Sequence, residues 1–457
     1  MPRIENNYER ASVNMAYSTV MEVMGVTHIT LNPFKQGSEV ISDEERWLEF
    51  AARIVGALNL AIKFTVLNVY GAATNNGYHG APWQPTRKPM YSYDRKKWFY
   101  FDNCKVDEDS ITFSNNSVFI SDIVYVGRDR QFSVSDAGEW LESLKHPALS
   151  PAPSAVAWSP TNAVSGFPGQ QFIADEFSPQ SYKGKNIPAT PFYAGQINDT
   201  SLKPASGNKR IVVLASGVHA GEDHGNFILK AVIEEALSDS ADAIIFRTNN
   251  RVPFYPIVNA PGRWGGGWRG SFTKGYSGED DANRHYSKSQ TGLEIIDKSK
   301  KASKLDLAGS TVSAMIDFHG TYLGPWSVLI DVNSPSSVKF MNDLSANCGY
   351  PIVNEGMPHP GGLSEYYRTL GAAPSITHET GCPYPITDAE IVRHAKGVIK
   401  TLAGNVSQST VQPGVIVPPV VNIVTPQPAA PVLTINGTGT ATWTINADGS
   451  MDIHIRK

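Results

Sequence analysis

One short segment near the middle of the chain constrains the fold more than any other. Residues 211–215 are a continuous run of Ile, Val and Leu closed by Ala, which is typical of a buried strand in a parallel sheet. A turn follows at residues 217–222, and the pattern of residues 225–238 predicts an amphipathic helix. A buried strand, a tight turn and a helix in this order predict an α/β domain.

Further apolar runs in the same part of the chain supply more strands for a mixed sheet. The predicted core strands are residues 243–247, 314–318, 327–331 and 375–378. Residues 387–403 are predicted to form the helix that closes the domain. We therefore assign residues 154–406 to one α/β domain.

The segments on either side of this domain have different patterns. Over residues 1–150, short aromatic and β-branched runs separated by Asn, Gly and Pro clusters predict a β-sandwich-like domain. An acidic capping box at residues 42–45 predicts a helix through about Leu58. Six prolines in an uncharged stretch predict an extended linker at residues 407–431. Alternating residues at 432–457 predict a small C-terminal β-strand module.

Composition and charge limit the classes of partner. The formal charge of −4 over 457 residues gives no reason to expect nucleic acid or an anionic membrane. Three widely spaced cysteines argue against a disulfide framework and against a cysteine zinc site. The first twenty residues do not resemble a secretory signal, and the sequence predicts no membrane span. We therefore expect a cytoplasmic protein, or one incorporated into a viral or other particle.

The turn after the buried strand contains the first candidate metal ligands, His219 and Glu222. A histidine nitrogen and a carboxylate oxygen three residues apart at a strand end can face one Zn²⁺ ion. By itself this spacing is weak, because a glutamate at a helix N-terminus also interacts favourably with the helix dipole.

Two further strand ends strengthen the metal interpretation. His319 follows the run at 314–318, and Glu379 follows the run at 375–378. Ligand sites in open α/β sheets lie at the carboxyl ends of the strands. Two histidines and a glutamate with an open fourth position form a catalytic zinc set, and another carboxylate nearby can act as general base for a metal-activated water.

Three short motifs lie between these strand ends: Trp268-Arg269 after a glycine-rich turn, Asp-Ala-Asn-Arg at residues 281–284, and Gly361-Gly362 before the last strand. In this order the chain resembles the zinc metallocarboxypeptidases related to carboxypeptidase A, over about residues 154–406. The resemblance implies their fold, a mixed eight-stranded-type sheet flanked by helices. More weakly, residues 91–98 and 123–126 look like the β-sandwich that precedes the catalytic domain in cytosolic carboxypeptidases.

The resemblance assigns a role to each residue of the metal centre. It implies Zn²⁺ as cofactor, held by His219, Glu222 and His319. It also implies that Asp281, which is not itself a ligand, supports the ring of His219. Glu379 is implied to be the general base for the metal-activated water that hydrolyses a C-terminal peptide bond.

Substrate contacts follow from the same resemblance. It implies that Arg269 polarises the scissile carbonyl, and that Asn283 and Arg284 bind the terminal carboxylate of the substrate. Without the resemblance, Arg284 has an alternative role in a surface ion pair with a neighbouring aspartate. The resemblance also implies that Ser364 corresponds to the position that usually sets side-chain preference in the family. The loop before Gly-Gly lacks the family's substrate-capping tyrosine, and His359 in that loop is a candidate replacement, although a loop histidine beside two prolines is more often simply exposed.

Two other functions remain open from the sequence. The altered loop allows a zinc amidohydrolase that acts on peptidoglycan stem peptides, γ-glutamyl bonds or N-acyl amino acids. The proline-rich linker and C-terminal module allow a non-enzymatic zinc-bearing module attached to a larger assembly. The complete set of ligands and base favours a metallocarboxypeptidase with a peptide or amino-acid amide as its substrate.

Overall fold

The computed structural model divides the chain into two compact units, Met1–Ser409 and Thr410–Lys457. The structure describes residues 1–33, 50–67, 88–107, 110–156, 172–182, 185–267, 281–287, 293–320, 327–329, 335–354, 361–379, 387–406, 433–434, 440–445 and 451–456.

Two five-stranded sheets occupy the first part of the larger unit. The first sheet has the spatial order β1 (Arg3–Glu5), β4 (Ala51–Val55), β10 (Ile123–Gly127), β6 (Met90–Ser92) and β7 (Trp98–Tyr100). The second has the order β2 (Thr19–Val23), β3 (Val26–Leu31), β5 (Ile62–Leu67), β9 (Ser110–Ser114) and β8 (Asn103–Val106).

The two sheets share one apolar core. Ile54 and Val124 of the first sheet and Phe64 and Phe113 of the second belong to the same buried cluster. The rings of Phe64 and Phe113 are stacked with centroids 5.3 Å apart. Alternate residues of the strands face this core, as a half-buried strand requires. The two packed sheets agree with the β-sandwich that the sequence predicts for this region.

The prediction of a helix from residue 42 through about Leu58 is wrong over the second half of that range. Residues 51–55 form β4, which pairs antiparallel with β1 on one side and β10 on the other. Residues 34–49 lie outside the described residues. A run such as Ala-Ala-Arg-Ile-Val fits either a helix or a strand, and pairing on both edges decides the outcome here.

An eight-stranded mixed sheet forms the centre of the α/β part of the chain. Its order is β11 (Leu149–Pro151), β16 (Gly195–Ile197), β18 (Asn250–Tyr255), β17 (Arg210–Ser216), β19 (Val312–His319), β22 (Ser375–Glu379), β20 (Ser327–Leu329) and β21 (Val353–Asn354). The four central strands β18, β17, β19 and β22 run parallel. Their carboxyl ends therefore meet at one edge of the sheet.

Helices flank this sheet, and two short hairpins lie beside it. The helices are α1 (Val134–Ser143), α2 (Pro153–Val156), α3 (Asp223–Ala236), α4 (Ala241–Asn249), α5 (Ala260–Gly265), α6 (Glu294–Leu307), α7 (Pro335–Cys348), α8 (Leu363–Thr369) and α9 (Asp388–Val406), with a 3₁₀ helix at Ala282–Arg284. The hairpins are β12 (Ile173–Phe177) with β15 (Thr190–Tyr193), and β13 (Gln180–Tyr182) with β14 (Lys185–Ile187).

The core strand predicted at residues 243–247 is instead part of α4. Ser240 caps this helix by accepting a hydrogen bond from the Ala243 backbone N–H at 3.2 Å. Ala243 and Phe246 are buried while Ile244 and Ile245 are exposed, which is a helical period rather than a strand period. The neighbouring core strand is β18, whose apolar pattern is interrupted by Pro253.

The smaller unit contains a three-stranded antiparallel sheet. Its strands are β23 (Leu433–Thr434), β24 (Thr440–Ile445) and β25 (Met451–Arg456). Residues 407–432, which include the predicted proline-rich linker, lie outside the described residues. Across the described parts of both units, none of the helices has the length and apolar character needed to cross a membrane.

Candidate metal centre

The turn between β17 and α3 places two of the predicted ligands at the carboxyl edge of the sheet. Gly217 begins this turn with a φ of +69°, and a Cβ atom there would lie 3.3 Å from the Ile257 backbone. Both the positive φ and the close approach favour glycine at this position. The chain then passes through His219 to Glu222, which is the residue immediately before the first turn of α3.

Three buried side chains converge at this edge. The donor atoms of His219, Glu222 and His319 all lie within 4.8 Å of one another. Glu222 Oε1 is 2.9 Å from His219 Nδ1, and Glu222 Oε2 is 2.9 Å from His319 Nδ1. The two Nδ1 atoms are 3.1 Å apart. The structure thus brings together the three residues that the sequence proposes as metal ligands.

A carboxylate holds the outer nitrogen of each histidine. His219 Nε2 lies 2.9 Å from Asp281 Oδ1, as the family resemblance implies. His319 Nε2 lies 2.7 Å from Asp317 Oδ2, a contact that the sequence analysis missed. The available signal was the Asp-x-His spacing, because residues two apart on a strand face the same side. The carboxylates fix both rings so that Nδ1 points toward the centre.

The imidazole and carboxylate groups of this cluster shift one another's pKa values. Burial alone acts to raise the pKa of Glu222, but the adjacent imidazoles of His219 and His319 hold it well below its ordinary value. Burial acts to lower the pKa of His319, but the carboxylates of Asp317 and Glu222 raise it well above its ordinary value. A divalent cation would take the place of a proton in this cluster, so its affinity should weaken as the pH falls.

The donor set fits a divalent metal cofactor. Two imidazole nitrogens face each other across 3.1 Å with a carboxylate oxygen 2.9 Å from each. Nitrogen and carboxylate donors suit the borderline first-row metals, and ring nitrogens held by carboxylates are usual behind metal-bound histidines. The chemistry of these residues therefore supports a metal site without any rearrangement of the fold.

Glu379 lies beside this cluster on the next strand. It is the last residue of β22, and its Cα pairs with that of His319 in parallel register. Residues paired in this way point to the same face of a sheet, so Glu379 shares a face with His319. Its side chain is half-buried at the edge of the sheet.

His378 faces away from the centre, as the alternation of a strand predicts. Its Nε2 lies 2.7 Å from Nε2 of His394 on α9, and both residues are fully buried. Burial, together with His378 and Arg393, holds the pKa of His394 well below its ordinary value. His378 therefore belongs to the packing between the sheet and α9 rather than to the metal cluster.

The 3₁₀ helix that follows Asp281 positions the proposed carboxylate-binding residues. Asn283 is buried, and its side-chain oxygen accepts a hydrogen bond from the Leu363 backbone N–H at 2.8 Å. The Arg284 side chain is 36% exposed, with Nη1 at 3.7 Å from Asp281 Oδ2. Asn283 thus joins this helix to α8, while the long ion pair of Arg284 leaves its guanidinium accessible from solvent.

Gly361 packs directly against the backbone of Arg284. Its φ is +83°, and a Cβ atom there would overlap the Arg284 carbonyl oxygen. Its own carbonyl accepts a hydrogen bond from the Tyr286 backbone N–H at 2.7 Å. Only glycine satisfies both the backbone conformation and this close approach.

Replacement of Gly361 by alanine should therefore displace the segment that carries Asn283 and Arg284. We expect KM to rise several-fold or more. Zinc should still be bound, because His219, Glu222 and His319 lie on other elements, and any loss of zinc affinity should be limited to the effect of moving Asp281 away from His219. Gly207→Ala is the matched control, since Gly207 has a φ of +82° but open space around its Cβ position. Steady-state kinetics that gave both variants the same KM would contradict this interpretation of Gly361.

Ser364 lies beneath the face that carries Glu379. Its Oγ is 2.9 Å from Oγ1 of Thr377, which precedes Glu379 by two residues and shares its face. Ser364 is almost completely buried. Glu365 accepts a hydrogen bond from the Gly361 backbone N–H and pairs with Arg368 at 3.2 Å, so its carboxylate has structural partners.

Two of the predicted site residues cannot be placed. Arg269 and His359 fall in residues 268–280 and 355–360, which lie outside the described residues.

The chain is similar to known carboxypeptidases in part of its sequence and in its fold. None of the known family models matches the chain. Over 138 residues, which are 30% of this chain, it is 29% identical to cytosolic carboxypeptidase 2 from Xenopus tropicalis and from Homo sapiens. The matched segment spans only 14% and 15% of those two relatives, respectively.

Solved structures give a more extensive match. A metallo-carboxypeptidase from Burkholderia cenocepacia superposes with a TM-score of 0.64 at 15% identity, over 89% of this chain and 98% of that one. A metallo-carboxypeptidase from Pseudomonas aeruginosa, solved in complex with (2-guanidinoethylmercapto)succinic acid, gives 0.61 at 15% identity, over 89% of this chain and 99% of that one. The chain therefore has the metallo-carboxypeptidase fold, and the resemblance first seen in its motifs is confirmed.

Proposed function

We propose that this protein is a zinc metallocarboxypeptidase that hydrolyses the C-terminal peptide bond of its substrate. The observation that carries the proposal is the convergence of His219, Glu222 and His319 within 4.8 Å at the carboxyl ends of parallel strands. Glu379 on the adjacent strand adds a carboxylate on the same face. The fold shared with metallo-carboxypeptidases supports the same reaction class.

The chemistry divides between the metal and the side chains. His219, Glu222 and His319 would hold the zinc ion, which would supply Lewis-acid activation of the attacking water and of the scissile carbonyl. Glu379 accepts a proton from the attacking water and returns it to the leaving amine. Asp281 and Asp317 keep the two histidine rings in the orientation that directs Nδ1 inward.

Substrate recognition is proposed to depend on the segment around the 3₁₀ helix. The accessible guanidinium of Arg284 is suited to a terminal carboxylate, because arginine presents paired donors in a planar fork. Asn283 is proposed to assist with its amide group and to keep the segment against α8. The role of Arg269 as a donor to the scissile carbonyl rests on the family resemblance alone.

The terminal side chain of the substrate is proposed to lie on the side of Ser364, the position that the family resemblance gives for side-chain preference. The Oγ of Ser364 lies 2.9 Å from Oγ1 of Thr377, so this region offers hydroxyl groups. We therefore expect the enzyme to accept a small or polar terminal residue. The carboxylate next to Ser364 in sequence, that of Glu365, could in principle favour a basic terminal residue, but its contacts with the Gly361 backbone N–H and with Arg368 argue against that role.

Replacement of Arg284 by glutamine tests whether the enzyme recognises a free carboxylate. A hydrogen bond to a charged group contributes about 1.5–3 kcal/mol, so KM should rise about 10- to 100-fold while kcat changes little. Kinetics on a peptide and on its C-terminal amide would measure this effect. The natural chain should strongly prefer the acid, and Arg284→Gln should lose most of that preference.

Arg53→Gln is the control for removal of a partly exposed arginine. The Arg53 side chain is 30% exposed and pairs with Glu5 in the first sheet, far along the chain from the proposed site. The Arg53→Gln variant should have the same KM and kcat as the natural chain. An unchanged preference for the free acid in Arg284→Gln would refute the proposed role of Arg284.

The alternatives left open by the sequence use the same metal centre. Peptidoglycan, γ-glutamyl and N-acyl amino acid substrates also place an amide next to a carboxylate. Among the described contacts, we find none that favours these substrates over a peptide. Attachment to a larger assembly through the C-terminal module likewise has no support among the described contacts.

A further inference from the structure

A buried arginine from the N-terminal part of the chain reaches the metal-binding turn. Arg10 lies in the connection between β1 and β2, and its side chain is fully buried. Its Nη1 donates a hydrogen bond to the carbonyl oxygen of Ala220 at 3.2 Å, and its Nη2 pairs with the carboxylate of Asp223. These contacts join residues that are more than 200 positions apart in the sequence.

Both contacts are immediate neighbours of the metal ligands. Ala220 lies between His219 and Glu222, and Asp223 directly follows Glu222. Arg10 therefore contacts the chain on both sides of Glu222, through the backbone carbonyl of Ala220 and the side-chain carboxylate of Asp223. These two contacts are to the Ala220 carbonyl and the Asp223 carboxylate rather than to a ligand atom, so Arg10 acts on the metal through the shape of the turn.

Asp223 is the point at which three separate elements meet. It is the first residue of α3 and only 3% exposed. One carboxylate oxygen pairs with Arg10, and the other accepts hydrogen bonds from Arg263 of α5 and from the Phe132 backbone N–H, the latter at 2.8 Å. Arg263 is also fully buried and donates to Asn226 in the same helix α3. The start of α3 is thus fixed by charges supplied from two sides.

The backbone of Arg10 is held as firmly as its side chain. Its φ is +74°, a left-handed conformation that residues other than glycine rarely adopt. Its N–H donates to the Trp264 carbonyl at 2.8 Å, and a Cβ atom at Gly266 would lie 2.6 Å from the Arg10 carbonyl oxygen. Such a conformation persists where the surrounding structure determines it completely.

We propose that Arg10 is a positioning residue for the metal centre. It fixes the turn that carries His219 and Glu222 through its contacts with Ala220 and Asp223. The N-terminal part of the chain, which also forms the two five-stranded sheets, then contributes to metal affinity through the shape of this turn. This inference rests on the proposed function only in taking zinc as the metal that the turn holds.

The test compares zinc affinity in Arg10→Met with that in a matched control. Loss of groups that orient ligands usually weakens metal binding about 10- to 100-fold, and Arg10→Met should weaken it about 10-fold or more. Arg128→Met is the control, because Arg128 is 2% exposed and pairs with its neighbour Asp129 at 2.9 Å. The control should lose thermal stability but keep the zinc affinity of the natural chain, measured by competition with a chromophoric chelator.

Backbone hydrogen exchange provides a second readout that does not depend on metal. In the metal-free protein, exchange over residues 217–223 should accelerate in Arg10→Met and stay unchanged in Arg128→Met. Arg10→Lys, which keeps the charge but loses the planar fork, should be intermediate in both measurements and serves as the test if Arg10→Met fails to fold.

Three outcomes separate the two proposals. Weaker zinc binding with faster local exchange in the Arg10 variants supports the positioning role. Unchanged zinc affinity and unchanged exchange in a folded Arg10 variant would overturn it. If the natural chain itself binds no zinc, the proposed function fails, and the exchange measurement alone decides whether Arg10 fixes the turn.

Discussion

Glu379→Gln should bind zinc as the natural chain does and lose turnover by about 10²- to 10⁴-fold, the usual contribution of a general base. Glutamine has the same shape as glutamate but cannot accept the proton of the attacking water. The metal should remain, because the converging donors belong to His219, Glu222 and His319. Zinc content by mass spectrometry and kcat on a short peptide would measure the two halves of this result.

Glu176→Gln is the matched control for loss of a strand carboxylate. Glu176 is half-buried on β12, and burial raises the pKa of its carboxyl group. The control should keep both zinc and turnover. Turnover in Glu379→Gln within a few-fold of the natural chain would remove Glu379 from the mechanism and leave the metal centre without its base.

His319→Ala should lose zinc and activity together, which is the other large effect that we expect. The substitution removes one of three ligands and leaves the buried carboxylates of Asp317 and Glu222 without the imidazole between them. Breaking a buried charge pair destabilises a protein by about 3–5 kcal/mol. Zinc content after dialysis and the dependence of Tm on added zinc would measure the result. Zinc at 1,000 times its Kd stabilises a folded protein by about 4 kcal/mol, so the natural chain should show a clear rise in Tm.

His378→Ala separates loss of a ligand from loss of a buried histidine. His378 is fully buried in the same sheet, but its ring contacts His394 on the opposite face. This variant should be less stable and still bind zinc. Full zinc content in His319→Ala would contradict the proposed ligand set.

The sequence could predict that His219, Glu222 and His319 lie together because the position of each depends on local structure. A buried apolar strand ends just before His219, and similar strands end at His319 and Glu379. Parallel strands bring their carboxyl ends to one edge, so strand identity alone places these residues near each other. The partner of His319 was equally local, two residues earlier at Asp317, and was available from the same alternation.

Contacts between distant segments could not be predicted in this way. Nothing in the sequence near Arg10 indicates that its guanidinium pairs with Asp223, which lies 213 positions later. The same limit explains the wrong helix over residues 51–55, where the strand is defined by partners at β1 and β10. At residues 243–247 the apolar run is short enough to fit either the period of a helix or that of a strand. The N-terminal cap that Ser240 provides favours the helix.

The pattern of cleavage in a mixed peptide pool tests the central claim most directly. Zinc-loaded protein should shorten peptides one residue at a time from the carboxyl end, and mass spectrometry would show ladders that lose C-terminal residues only. Peptides with amidated ends should stay intact in the same mixture. Zinc-loaded protein that leaves every free C-terminus intact, or that cuts at internal bonds, would contradict the assignment as a metallocarboxypeptidase.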